Sequence, residues 1–135
     1  MTINIIGPDL RVLCTDNSLM MQPFHRLREL LYPKLDYQIV QVLLEDVILM
    51  QIAIEDGVAV YHGGQTEKWM GLLFPYTSDF EQTTYKLPNN LFLMQVASSP
   101  QWLLFTMTDK MVPLCDGSFY ECFSMFCKEA ICVTR

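Results

Sequence analysis

Between Tyr37 and His62 the chain reads YQIVQVLL, then Glu45-Asp46, then VILMQIAI, then Glu55-Asp56-Gly57, then VAVYH. Two apolar runs of eight residues and one of five are thus separated by short acidic breaks. Val and Ile are frequent, and β-branched side chains suit a pleated, packed surface better than a helix. Runs of this length, bounded by turn residues, are strand-like, whereas a buried helix needs about ten residues or more. Gly57 supplies the positive φ that a tight turn demands. The stretch therefore predicts a three-strand antiparallel meander over residues 37–44, 47–54 and 58–62. The competing reading is one helix over residues 36–54, because periodicity alone does not separate a short apolar strand from a buried helix. Neither face of the middle strand is cleanly polar, which predicts a central strand covered on both sides.

A chain of 135 residues implies one domain with room for a substantial core. Its hydrophobic fraction of 51% and mean hydropathy of +0.21 argue against any long disordered span. The longest charge-free stretch, residues 87–108, is interrupted by Pro88, Asn89, Asn90, Ser98, Ser99 and Pro100, so no transmembrane helix is expected. Residues 1–6 lack the basic and apolar regions of a signal peptide. A cytoplasmic location follows as an expectation, with the five cysteines reduced. Their odd number also forbids complete pairing within one chain.

The net charge of −6 is unevenly placed. Between Lys34 and Lys68 there is no Lys or Arg, but there are six acids: Asp36, Glu45, Asp46, Glu55, Asp56 and Glu67. The rest of the chain is balanced, with nine acids and nine bases. An acidic surface of this kind argues against a nucleic-acid partner, which needs a basic footprint. Two roles compete for these acids. They keep strand ends soluble and unpaired, or they form a surface that selects a basic protein partner.

Elsewhere, TINII (residues 2–6) and LRVLC (residues 10–14) flank Gly7-Pro8-Asp9, either as a hairpin or as a strand followed by a loop. A short helix is expected over residues 23–32. Pro23 opens it, Phe24, Leu27, Leu30 and Leu31 form its apolar stripe, and Pro33 ends it. Residues 67–74 are ambiguous because Gly71 weakens a helix. Residues 80–87, 91–97 and 102–108 read as strands, with Pro88-Asn89-Asn90 as a turn. Residues 109–117 read as irregular, broken by Pro113 and Gly117. Ser118 and Glu121 fit a capping box. Phe119, Cys122, Phe123, Phe126 and Ala130 then follow at helical spacing, which predicts an amphipathic helix over residues 119–131, docked through Phe123 and Phe126.

Four cysteines, Cys115, Cys122, Cys127 and Cys132, fall near the C-terminus. Their spacings contain no C-x-x-C pair and no neighbouring histidine, unlike a zinc site. Residues five apart on a helix diverge by about 140°, so Cys122 and Cys127 point apart and read as small buried hydrophobes. His25 and His62 are the only histidines and are expected to be exposed. Ser18, Ser98 and Ser99 lack a nucleophile-elbow context. The acid pairs Glu45-Asp46 and Glu55-Asp56 bracket a strand about 26 Å long, too far apart to share a proton or a metal. The run from Gly63 to Lys68 lacks phosphate-loop spacing. No catalytic, cofactor-binding or metal-binding residue is assigned.

Nine methionines and sixteen aromatic residues suggest more apolar surface than one small core buries, with self-association or a partner as its outlet. The expected fold is α+β: a mostly antiparallel sheet of five to seven strands, a short helix near residues 23–32 and a C-terminal helix near 119–131. The expected function is a non-catalytic protein–protein interaction module, of the adaptor, chaperone, inhibitor or accessory-factor kind. It would use its acidic rim and an apolar surface, with a homodimer as one assembly and neither nucleic acid nor membrane as partner. The alternative is a small enzyme or small-ligand binder whose site is not local in sequence.

Overall fold

The structure is a computed structural model, and it describes residues 1–17, 27, 29–97 and 99–131. Among these residues ten strands form two antiparallel sheets of five. The first contains β1 (Thr2–Ile6), β2 (Val12–Asp16), β3 (Tyr37–Leu44), β4 (Val47–Glu55) and β5 (Val58–Gly63), in the order β2-β1-β3-β4-β5. The second contains β6 (Tyr76–Thr77), β7 (Thr84–Leu87), β8 (Leu91–Gln95), β9 (Trp102–Met107) and β10 (Met111–Gly117), in the order β10-β9-β8-β7-β6. One helical turn, α1 (Met70–Leu73), links the sheets, and α2 (Phe119–Ala130) follows them. The class is α+β as expected, with the strands split between two sheets.

The meander forms with the expected breaks, and the reading of residues 36–54 as one helix falls away. Asp56 and Gly57 both adopt positive φ, 51° and 81°, as a two-residue hairpin turn between twisted strands requires. Asn89 and Asn90 turn the β7–β8 hairpin in the same left-handed region, at 64° and 57°.

β4 lies second from the edge of its sheet rather than at its centre, while Ile52, Ala53 and Ile54 are buried in succession, as an apolar run on both faces predicts. A bulge adds to the run. Val42 pairs with Met50 but Leu43 pairs with Ile48, so Leu49 is an extra residue. Such a bulge breaks the two-residue alternation, and Leu49 and Met50 are consecutive buried residues. A second bulge falls at His62, since Gln51 pairs with Gly63 while Ile52 pairs with Tyr61.

The core lies between the inner faces of both sheets and α2. Ile3, Ile5, Val40, Val42, Met50, Ile52, Ile54 and Tyr61 from the first sheet join Tyr85, Leu93, Trp102 and Leu104 from the second in one cluster. Helix α2 packs against β5 on one side and against β8, β9 and β10 on the other. Burial therefore extends around a broad arc of the helix and takes in Phe119, Cys122, Phe123, Phe126, Cys127 and Ala130. This is how two diverging cysteines are both fully buried.

The capping box is formed: Ser118 Oγ accepts from Glu121 N at 3.1 Å, and Ser118 N donates to Glu121 Oε1 at 3.4 Å. Ser118→Ala removes one acceptor of an otherwise orphaned backbone donor. It is expected to cost about 0.5–2 kcal/mol in thermal or urea denaturation.

Leu27, Glu29 and Leu30 are helical, and Leu31 N donates to Leu27 O at 2.9 Å. The earlier part of the helix expected over residues 23–32 lies outside the described residues. The buried side chain of Gln38 closes this segment. Its Oε1 accepts from Tyr32 N at 3.0 Å, and its Nε2 donates to Tyr32 O at 2.8 Å.

Residues 109–117, expected to be irregular, form the edge strand β10 for the most part. Pro113 is tolerated there because an edge strand has one unpaired side. The pairing skips Leu114 in a bulge, which hides the strand pattern in the sequence. The strand expected from residue 80 begins only at Thr84. Phe80 instead covers the outer face of the second sheet, with its ring 6.0 Å from Phe92 and 5.3 Å from Phe105.

Candidate functional site

The two sheets differ in what their outer faces meet. Phe80, Phe92 and Phe105 form an aromatic cluster on the second sheet, so part of that face is covered by its own loop. On the first sheet, register defines the rows of the outer face. Val12, Ile6, Ile39, Ala53 and Val60 pair in succession across all five strands, which makes one continuous apolar row. Val12 is 56% exposed, Ile6, Ile39 and Val60 are half-buried, and the small Ala53 is shielded between its neighbours. The described helical residues and Leu31 just after them pack on the opposite face, through Leu27, Leu31, Met70, Leu73 and Phe123.

A polar row runs parallel to the apolar one. Thr15, Asn4, Gln41 and Gln51 pair in succession across four strands. Thr15 Oγ1 donates to Asn4 Oδ1 at 2.8 Å, and Gln41 Nε2 donates to Gln51 Oε1 at 3.0 Å. Cross-strand amide and hydroxyl pairs of this kind fix register without requiring burial. On the other side of the apolar row, Tyr37, Glu55 and Val58 pair in succession, with Val58 50% exposed.

The structure divides the six acids into three places. Glu55 and Asp56 lie at the β4–β5 turn beside Asp36, whose carbonyl accepts from Asp56 N at 2.9 Å. Glu45 and Asp46 form the β3–β4 turn at the opposite end of β4, with Glu45 held at φ 55°. All five are exposed. Acids therefore lie at both ends of this face. Glu67 is elsewhere, on the loop after β5, beside a cleft.

That cleft has a volume of about 380 Å³ and is open to solvent. Gln65, Glu67, Lys68, Tyr85, Gln95 and Trp102 line it. Tyr85 and Trp102 are buried and stack at 6.3 Å between centroids. Tyr85 directs its hydroxyl to Tyr76 Oη at 3.4 Å, and burial raises its pKa well above the phenol range. The loop beside the cleft is held rigidly. Tyr61 Oη donates to Thr66 Oγ1 at 2.6 Å, and Thr66 Oγ1 donates to Leu49 O at 2.6 Å. Thr66 thus satisfies a buried carbonyl at the β4 bulge.

His62 is exposed at its bulge; His25, Cys132, Ser18 and Ser98 lie outside the described residues. Among the described residues no three His, Cys, Asp or Glu side chains gather as a metal site would require, and no helix is long and apolar enough to cross a membrane. The apolar row was missed in the sequence because it joins residues from five strands. The alternation of Asn4 with Ile6, and of Gln41 with Ile39, was the available signal.

Comparison of the chain with protein-family models, with characterised proteins and with solved structures finds no match.

Proposed function

We propose that this protein is a non-catalytic interaction module, of the adaptor, chaperone, inhibitor or accessory-factor kind, and that it docks another protein on the outer face of its first sheet. The observation behind this reading is the apolar row Val12–Ile6–Ile39–Ala53–Val60, flanked at both ends of the sheet by acids with no Lys or Arg between residues 34 and 68. An apolar centre with a charged rim is the usual anatomy of a protein interface. The complementary partner surface is apolar at its centre and basic at its ends. A second copy of this chain is a poorer occupant, because a two-fold pairing of this face opposes acidic rims. Association in the cytoplasm, without nucleic acid or membrane, is part of the same proposal.

Two variant sets test it. Glu45, Asp46, Glu55 and Asp56 changed together to Asn or Gln leave folding nearly intact, since exposed charges contribute little to stability. Steering is worth roughly tenfold or more in association rate, so the variant is expected to bind its captured partner about tenfold more slowly at low salt. Wild-type association should also slow as salt rises. Ile39→Lys and Val60→Lys place cations in the apolar row and are expected to abolish capture while the fold persists by circular dichroism. A captured partner whose association ignores salt and all of these substitutions overturns the proposal. If the acids serve only solubility, the neutralised variant binds at the wild-type rate and precipitates sooner.

A further inference from the structure

Two of the cysteines are brought together by the junction between β10 and α2. Cys115 follows the β10 bulge, opposite Leu104 on β9, and is half-buried. Cys122 lies in the second turn of α2 and is fully buried. Its Sγ stands 3.6 Å from Cys115 O and 3.6 Å from Trp102 O, so the Cys122 thiol sits against the Cys115 backbone. The approach is fixed by structure on both sides: Gly117 pairs with Trp102, and the capping box sets the entry of the helix. The other described thiols are placed differently. Cys127 is five residues further along the helix, rotated by about 140°, and Cys14 belongs to β2 at the edge of the first sheet.

We propose that Cys115 and Cys122 form a peroxide-responsive dithiol that closes to a disulfide and fastens α2 to β10. Access divides between the two sulfurs as such a pair requires, Cys115 being half-buried and Cys122 fully buried. The more exposed Cys115 is the one a peroxide reaches. Its sulfur displaces water from hydrogen peroxide and becomes a sulfenic acid. The Cys122 sulfur then attacks that sulfenic sulfur, forming the S–S bond. The hydroxyl leaves as a second water with the proton of the Cys122 thiol. Two thiols thereby lose two electrons and two protons, and one peroxide becomes two waters. Burial pushes the Cys122 thiol up to about 12, so it rests protonated, and the bond-forming step accelerates as pH rises toward that value. The close approach of Cys122 Sγ to the Cys115 backbone, 3.6 Å from its carbonyl oxygen, compensates for weak ionisation through proximity.

The test is non-reducing peptide mapping of the full-length protein after treatment with hydrogen peroxide. The expected product is one species in which the Cys115 and Cys122 segments are joined, two hydrogens lighter and restored by dithiothreitol. Closure should be faster at pH 9 than at pH 7. Cys127→Ala is expected to close as the wild type does. Cys122→Ala is expected to leave Cys115 as a sulfenic acid that dimedone traps. Oxidation of Cys115 to sulfinic or sulfonic acid in the wild type, with Cys122 still alkylatable after denaturation, overturns the proposal. So does formation of reducible dimers in place of the internal bond. The wild-type map decides the matter even if the Cys122 variant fails to fold.

Discussion

Phe123→Ala is expected to lower the free energy of unfolding by about 3–5 kcal/mol. The ring is fully buried at the meeting point of both sheets and the helix. Its centroid lies 4.8 Å from Tyr61, 6.1 Å from Phe74, 5.3 Å from Phe119 and 5.3 Å from Phe126. Deleting it removes the transfer free energy of a phenyl group and leaves a cavity among aromatic rings that collapse poorly. Domains are stable by only about 5–15 kcal/mol, so the urea midpoint should fall steeply. Met125→Ala, on the exposed side of the same helix, should change stability by at most about 0.5 kcal/mol. Equal midpoints for the two variants would show that α2 is not docked through Phe123.

Thr66→Val is expected to cost about 2–4 kcal/mol, because it leaves two buried groups without partners. The Tyr61 hydroxyl loses its acceptor and the Leu49 carbonyl loses its donor. Valine fills the same volume, so the loss isolates hydrogen bonding from packing. Thr66→Ser keeps both bonds and should recover most of the stability. The pH dependence has a definite sign. Burial pushes the Tyr61 phenol from its ordinary 10 up to about 12, and only the neutral hydroxyl donates to Thr66. A group raised in the folded state contributes fully below pH 10, and its contribution is lost as pH rises through about 12. Alkaline unfolding curves of wild type and Tyr61→Phe should therefore converge at high pH. Persistent separation above pH 12 would show that the Tyr61 hydroxyl is not the titrating contact.

The meander was legible because its breaks coincide with its turns: Glu45-Asp46 and Asp56-Gly57 occupy the two hairpin bends. The C-terminal helix was legible because Ser118 and Glu121 mark its start. What the sequence hid follows from bulges and partition. The extra residue at Leu49 interrupts the alternation of β4, and the skipped Leu114 made β10 look irregular. Nothing in a local window says that β5 ends one sheet and β6 begins another, since that division is set by which strands pair at long range. The acids of the candidate site were visible as a charge imbalance. The apolar row between them was not, because adjacency across strands is set by register.

The position of α2 after both sheets also orders events during synthesis. Each sheet's strands are complete before the helix leaves the ribosome, yet β5, β8, β9 and β10 all pack against the helix. Tyr61, Trp102 and Leu104 therefore wait uncovered while roughly the last tenth of the described chain is still being made, a matter of seconds at about 5–20 residues per second. Nascent chains of this protein are most vulnerable to aggregation and proteolysis in that interval. A chain cut short before Phe119 leaves two half-cored sheets, whereas one that reaches Ala130 can close once the helix is released from the ribosome.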